Sequence, residues 1–143
     1  LVVIKVKLLE TDGQIPVYAH STDSGADLFA LEDKFISSNE MAPLRTGIAV
    51  ELPPGYELQV RSKSGLAAKH NLFVLNSPGT VDQDYRGEIM VLMFNAGKLS
   101  YKINKGDKIA QMVVSPVIQA YYEKVEELSD TDRGEGGFGS TGK

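Results

Sequence analysis

The chain has 143 residues, 42% of them hydrophobic, and a formal net charge of −4 from 15 Lys and Arg against 19 Asp and Glu. That bounds it to one domain and excludes a wholly disordered chain and a general nucleic-acid backbone binder, which is usually basic. With no cysteine and two histidines, disulfides, thiolate chemistry, cysteine-ligated zinc and a His-rich metal centre are excluded as well.

No run of 18 apolar residues is present, so no membrane span is predicted. Leu1 to Lys7 is interrupted by Lys5 and Lys7 and predicts no secretory leader. A cytoplasmic location is the expectation.

Short extended segments dominate the chain. Val2 to Leu8 and Gly47 to Leu52 are rich in Val and Ile. Tyr56, Leu58 and Val60 alternate with Glu57, Gln59 and Arg61, the period of a half-buried strand. Ile89 to Phe94 is nearly all apolar, which predicts a strand buried on both faces. Tyr101 to Ile103, Ile109 to Val114 and Val117 to Tyr122 continue the pattern. Turn formers punctuate them: Asp12-Gly13, Pro53-Pro54-Gly55, Pro78-Gly79 and Asn104-Lys105-Gly106. Only Ser64 to Lys69 reads as a helix, one or two turns long. The pattern predicts an all-β barrel or sandwich.

The composition changes after Val125. Glu126, Glu127, Asp130 and Asp132 lead into a stretch in which five of the last ten residues are glycine. Such a segment is costly to order and adds little to a core. It reads as a solvated tail or as an arm that orders over a ligand, and Phe138 and Arg133 favour the arm. Gly137 to Lys143 spells G-F-G-S-T-G-K, the first seven positions of a P-loop, but no buried parallel strand precedes it. A Walker-type site is rejected.

Four further segments carry candidate chemistry. Ser24-Gly25-Ala26-Asp27-Leu28 offers one acid beside a glycine, either a turn acid or a carboxylate holding Mg²⁺ through water. Arg61 to Ala67 ends a strand and opens the helix. There Ser64 is an N-cap, a phosphate contact beside Lys63, or both. Gly79 to Gly87 packs Asp82, Asp84, Tyr85 and Arg86 between glycines. One acid could serve as a general base, and residue types alone do not choose between Asp82 and Asp84, although Val81 predicts partial enclosure of Asp82. Gly106 to Gln111 enters an apolar strand, with Lys108 at the surface and Gln111 available to a phosphate or water. His20 and His70 read as structural or surface residues, and of Tyr121 and Tyr122 one is expected to pack.

Taken in this order, Ser24–Leu28, Arg61–Ala67, Gly79–Gly87, Gly106–Val113 and Arg133–Thr141 resemble the trimeric dUTP pyrophosphatase (dUTPase) family. The most specific matches are V-D-Q-D-Y-R-G at Val81–Gly87 and R-G-E-G-G-F-G-S-T at Arg133–Thr141. The resemblance implies a distorted jelly-roll β-barrel over residues 1–125 and a flexible arm over 126–143 that closes a neighbouring subunit's site. It implies a homotrimer, with each active site built from three chains, hydrolysing dUTP to dUMP and pyrophosphate with Mg²⁺.

By the same resemblance Asp82 is the general base and Asp27 holds Mg²⁺ through water. Lys63, Ser64, Gly65 and Gln111 belong to the phosphate side. Leu75, Asn76 and Gly79 form the uracil hairpin, with Val81 beside it, and Tyr85 packs against the deoxyribose and excludes a 2′-hydroxyl. Arg133, Gly139, Ser140 and Thr141 cover the phosphates while Phe138 stacks on the base. Two positions depart from the family pattern: Ala26 where an aromatic is usual, and Lys63 where Arg is usual. Lys keeps the charge but lacks the rigid two-pronged fork of Arg, so reduced turnover is expected, not its loss.

Two other readings compete. A dCTP deaminase would share the broad fold but needs an acid near C4 of cytosine. A non-catalytic nucleotide sensor gains nothing from the carboxylate of Asp82, and a trimeric scaffold with a vestigial site is the remaining alternative.

Overall fold

A computed structural model describes residues 1–142; Lys143, the last residue of the predicted arm and of the P-loop look-alike, lies outside it. The described residues form eleven strands and one helix: β1 Lys5–Leu8, β2 Ala26–Phe29, β3 Lys34–Ile36, β4 Met41–Arg45, β5 Ile48–Glu51, β6 Tyr56–Arg61, α1 Ser64–His70, β7 Leu72–Val74, β8 Gly79–Val81, β9 Met90–Asn95, β10 Tyr101–Ile103 and β11 Lys108–Pro116. The alternation in β6 and the apolar run of β11 become strands as their patterns predict. In β9 the run Met90 to Phe94 alternates instead of being buried on both faces: Val91 and Met93 are buried, Leu92 and Phe94 half-buried, Met90 exposed.

The strands do not close into a jelly-roll barrel. They make four separate antiparallel sheets, ordered β1-β5, β10-β3, β2-β11-β6-β8 and β4-β9-β7. The ladders are too short and too interrupted to join. β3, β7, β8 and β10 have three residues each, β4 is an edge strand carrying Pro43, which has no N–H to donate, and the β11–β2 register shifts between Lys108 and Ala110. The sheets nevertheless share one core. Leu28, Ile36, Leu44, Val50, Leu58, Leu72, Met93 and Ile103 come from different sheets and belong to one buried cluster, each large aliphatic side chain contributing about 1.5–3 kcal/mol.

Helix α1 forms where predicted, but its cap differs. Lys63 occupies the N-cap position without a side-chain cap hydrogen bond, and Ser64 is the first helical residue. The helix stops at Asn71, which adopts a left-handed conformation (φ 56°) and donates its N–H to Ala67 O. Val117 to Tyr122 forms no strand within the described residues, and both Tyr121 and Tyr122 are about nine-tenths exposed, so neither packs. Among the described residues no helix is long and apolar enough to cross a membrane.

Candidate functional site

The four-stranded sheet gathers the first group of predicted residues by register. Gln111 of β11 stands opposite Asp27 of β2 on one side and Arg61 of β6 on the other. Residues directly opposite in a ladder share a face, so the three side chains rise together, and Lys63, two residues beyond Arg61, reaches the same place. Lys63 Nζ pairs with Asp27 Oδ1, and Lys108 Nζ with Oδ2 at 2.9 Å. Gln111 donates from Nε2 to Ser62 O at 3.0 Å. Gly25 is required by this packing: a Cβ there would collide with the Gln111 side chain.

Asp27 is only 5% exposed. Burial pushes its carboxyl up, but the hydrogen bonds and charges of Lys63 and Lys108 outweigh burial and hold it below the ordinary aspartate value. Lys108 lies at the surface, as expected, and its ion pair with Asp27 makes it a member of the cluster as well. Lys63, which replaces the usual Arg, is engaged with this acid.

A second group surrounds a cavity of about 180 Å³, whose lining includes Val60, Asn76, Gly79, Val81, Tyr85 and Glu88. β8 is held against β6 with Val60 opposite Gly79 and Leu58 opposite Val81. A Cβ on Gly79 would stand 3.2 Å from Asn76 Nδ2 and 3.4 Å from Val60 Cβ, so glycine keeps the cavity open. Tyr85 donates its hydroxyl to Glu88 O at 2.9 Å. A Cβ on Gly87 would strike the Tyr85 hydroxyl.

Asp82 follows β8 directly but lines a different space, an open cleft of about 570 Å³ shared with Gly55, Glu57, Asp84 and Gln119. It is exposed in the single chain, so the partial enclosure expected from Val81 is not met here. The hairpin is tied down around it: Tyr85 N donates to Asp82 O at 3.2 Å, and Gly55 N to Gln83 Oε1 at 3.3 Å.

The arm residues stay apart from all of these. Arg133, Phe138, Gly139, Ser140 and Thr141 are exposed. The hydrogen bonds found there are local, such as Arg133 Nε to Gly136 O at 2.8 Å and Ser140 N to Gly137 O at 3.0 Å. Ser64 and Gly65 are likewise exposed at the start of α1, with open space where a Gly65 Cβ would be.

Among the described residues no group of three or more His, Cys, Asp or Glu could hold a metal. Each Asp27 oxygen keeps lone-pair capacity beyond its lysine. The carboxylate can therefore accept from a metal-bound water while keeping both lysines.

The comparisons with known proteins agree with one another. The family model described as dUTPase matches residues 11–142. The deoxyuridine 5′-triphosphate nucleotidohydrolase of Gloeothece citriformis is 57% identical over 139 residues, 97% of this chain and 96% of that protein. Its counterpart in Clostridium tetani is 50% identical over 140 residues, 98% of this chain and 97% of that protein. Among solved structures, the dUTPase of Staphylococcus bacteriophage 80alpha with dUPNHPP superposes with a TM-score of 0.91 at 31% identity, covering 99% of both chains. A mutant dUTPase from phage phi11 of S. aureus, described with a structural Mg(II) ion, gives 0.81 at 29% identity, covering 87% of this chain and 97% of that one. The chain belongs to the dUTPase family.

Proposed function

We propose that this chain hydrolyses dUTP to dUMP and pyrophosphate, Mg²⁺-dependent, as a homotrimer acting on free nucleotides in the cytoplasm. Family membership makes it an enzyme of the dUTP diphosphatase class. The observation that carries the specific reading is the small cavity lined by Asn76, Gly79, Val81 and Tyr85, which suits a base and a deoxyribose. Asn76 and the backbone of the hairpin at Leu75 and Gly79 serve the uracil edge. The Tyr85 ring lies against the sugar and leaves no room for a 2′-hydroxyl.

Asp82 takes a proton from water as the oxygen attacks the α-phosphorus. The bond from that phosphorus to the bridging oxygen breaks, and the electron pair leaves with pyrophosphate. One water is consumed, and the proton held on Asp82 returns to solvent. When bound, Mg²⁺ supplies charge neutralisation on the triphosphate, and Asp27 would hold it through water. Lys63, Ser64, Gln111 and the backbone of Gly65 meet the phosphate oxygens.

The separation of the groups supports a site shared between subunits. The Asp27, Ser64 and Gln111 patch belongs to one chain, the Asp82–Tyr85 hairpin to a second and the arm to a third. Residues 126–143 act as that arm: Arg133, Gly139, Ser140 and Thr141 close on the β- and γ-phosphates and Phe138 stacks on uracil. The exposed Asp82 and the locally bonded arm each need a partner to complete their surroundings.

Pyrophosphate release from dUTP, dCTP, dTTP and UTP, measured in parallel with Mg²⁺, tests the proposal. Release from dUTP in strong preference to the other three is expected. Binding of dUTP without release would instead leave a nucleotide sensor.

A further inference from the structure

Glu88 lies outside every role assigned above, yet it is held more firmly than any other side chain in the hairpin. Arg45 Nε reaches both of its carboxylate oxygens at 3.2 and 3.1 Å, and Arg45 Nη2 reaches Oε1 at 3.0 Å. Gly47 N donates to Oε2 at 3.3 Å. Arg45 is itself steadied by Glu10 at 3.1 Å. The next residue is stitched to the same segment: Ile89 N donates to Ile48 O at 2.9 Å and Thr46 Oγ1 to Ile89 O at 2.6 Å. Residues 45–48 thus grip residues 88–89 from side chain and backbone together.

That grip has a consequence at the cavity. Residues 82–86 are all exposed, and the Tyr85 ring has one hydroxyl hydrogen bond, to the carbonyl of Glu88. The acceptor that orients the ring therefore belongs to the most firmly held residue of the loop. We propose that Glu88, clamped by Arg45 and the Gly47 N–H, is a positioning residue for Tyr85 and sets discrimination between deoxyribose and ribose triphosphates. The inference rests on the dUTPase reading above. A two-pronged arginine contact with a backbone N–H beside it fixes an angle that a single surface contact would leave free.

The test compares kcat/KM for dUTP and UTP in the wild type, E88Q, R45K, Y85F and Y85F/E88Q, with thermal midpoints recorded for each. E88Q keeps the shape and loses the charge; R45K removes the fork. Each of E88Q, R45K and Y85F is expected to lower the dUTP-to-UTP ratio about tenfold, and the double variant no further than Y85F alone. A merely structural Glu88 would lower the midpoint and both kcat/KM values together, leaving the ratio intact, and that result overturns the inference. So does an equal fall caused by E88Q in the Y85F background, or a wild-type ratio in Y85F. Should E88Q fail to fold, R45K decides alone. A wild type that hydrolyses no dUTP would overturn the functional reading and this inference with it, whereas a selective wild type with an equally selective E88Q overturns only the inference.

Discussion

Lys63 pairs with Asp27, a carboxylate almost sealed from solvent, and thereby occupies the place where the family usually carries arginine. The pair is asymmetric. The Asp27 side chain is 6% exposed, while Lys63 and Lys108 are 27% and 50% exposed. Removing the lysines strands a buried charge, whereas removing the acid leaves two lysines that can extend into water. K63M/K108M is predicted to lose about 3 kcal/mol at pH 7, while Asp27→Asn loses under about 1 kcal/mol. Urea unfolding of the two variants measures both values, and equal losses would refute the asymmetry.

The acid limb of the stability profile follows from the same acid and from Glu88. In Glu88, burial raises the carboxyl, but Arg45 and the Gly47 N–H outweigh it. Both groups are held below their ordinary values of 3.8 and 4.5. A depressed carboxyl contributes stability that is fully present above its unfolded value and lost as pH falls through the folded one. The thermal midpoint is predicted to be flat from neutral pH to about 5 and to fall below about 4. The fall should be shallower in Asp27→Asn. An undiminished fall in that variant would assign the acid limb to other groups.

Gly25→Ala tests the register that assembles the proposed phosphate side. The new Cβ would strike Gln111 Oε1 and stand 2.8 Å from its Cδ and 3.0 Å from its Cβ, so the amide end must swing away and the two strands give slightly. Gln111 must leave Ser62 O. A fall in kcat/KM for dUTP on the order of tenfold to a hundredfold is expected, with Asp82 and Tyr85 untouched. Steady-state kinetics would show it, and an unchanged KM would remove Gln111 from the phosphate side.

How much of this could be read from the chain varies with distance in sequence. β6 and α1 were recoverable because each declares itself within a few residues, by alternation or by a short helical run. β3, β7 and β8 have three residues each, too few for a period to show, and Pro43 disguises β4 because proline is tolerated only on an edge that the sequence does not announce. Val117 to Tyr122 has a strand's composition and no ladder partner among the described residues. The jelly-roll expectation came with the family resemblance, and the interrupted ladders replace it with four sheets over one core. At the candidate site, Tyr85 and Gln111 stand in local motifs that single them out, and Asp82 is singled out from Asp84 only by the family resemblance. The pairing of Lys108 with Asp27, and of Arg45 with Glu88, was not legible, because only folding brings those partners together.

The proposed sharing of the site between subunits predicts complementation. Asp82→Asn and a chain cut before Arg133 should each be inactive when pure. The truncation should leave the thermal midpoint in place, since the arm residues are exposed and bonded among themselves. Subunits of the two variants, unfolded and refolded together, should recover activity, because some sites then take Asp82 from one chain and the arm from another. No recovery on mixing, with mixed oligomers confirmed by mass, would place hairpin and arm of one site in the same chain.

The most direct test of the central claim is hydrolysis of dUTP in ¹⁸O-water by the wild type and Asp82→Asn. One labelled oxygen should enter the phosphate of dUMP and none the pyrophosphate, with kcat falling about 10³-fold in the variant while dUTP binding persists. Label in pyrophosphate, or a variant turning over at near the wild-type rate, would contradict attack at the α-phosphorus with Asp82 as the base.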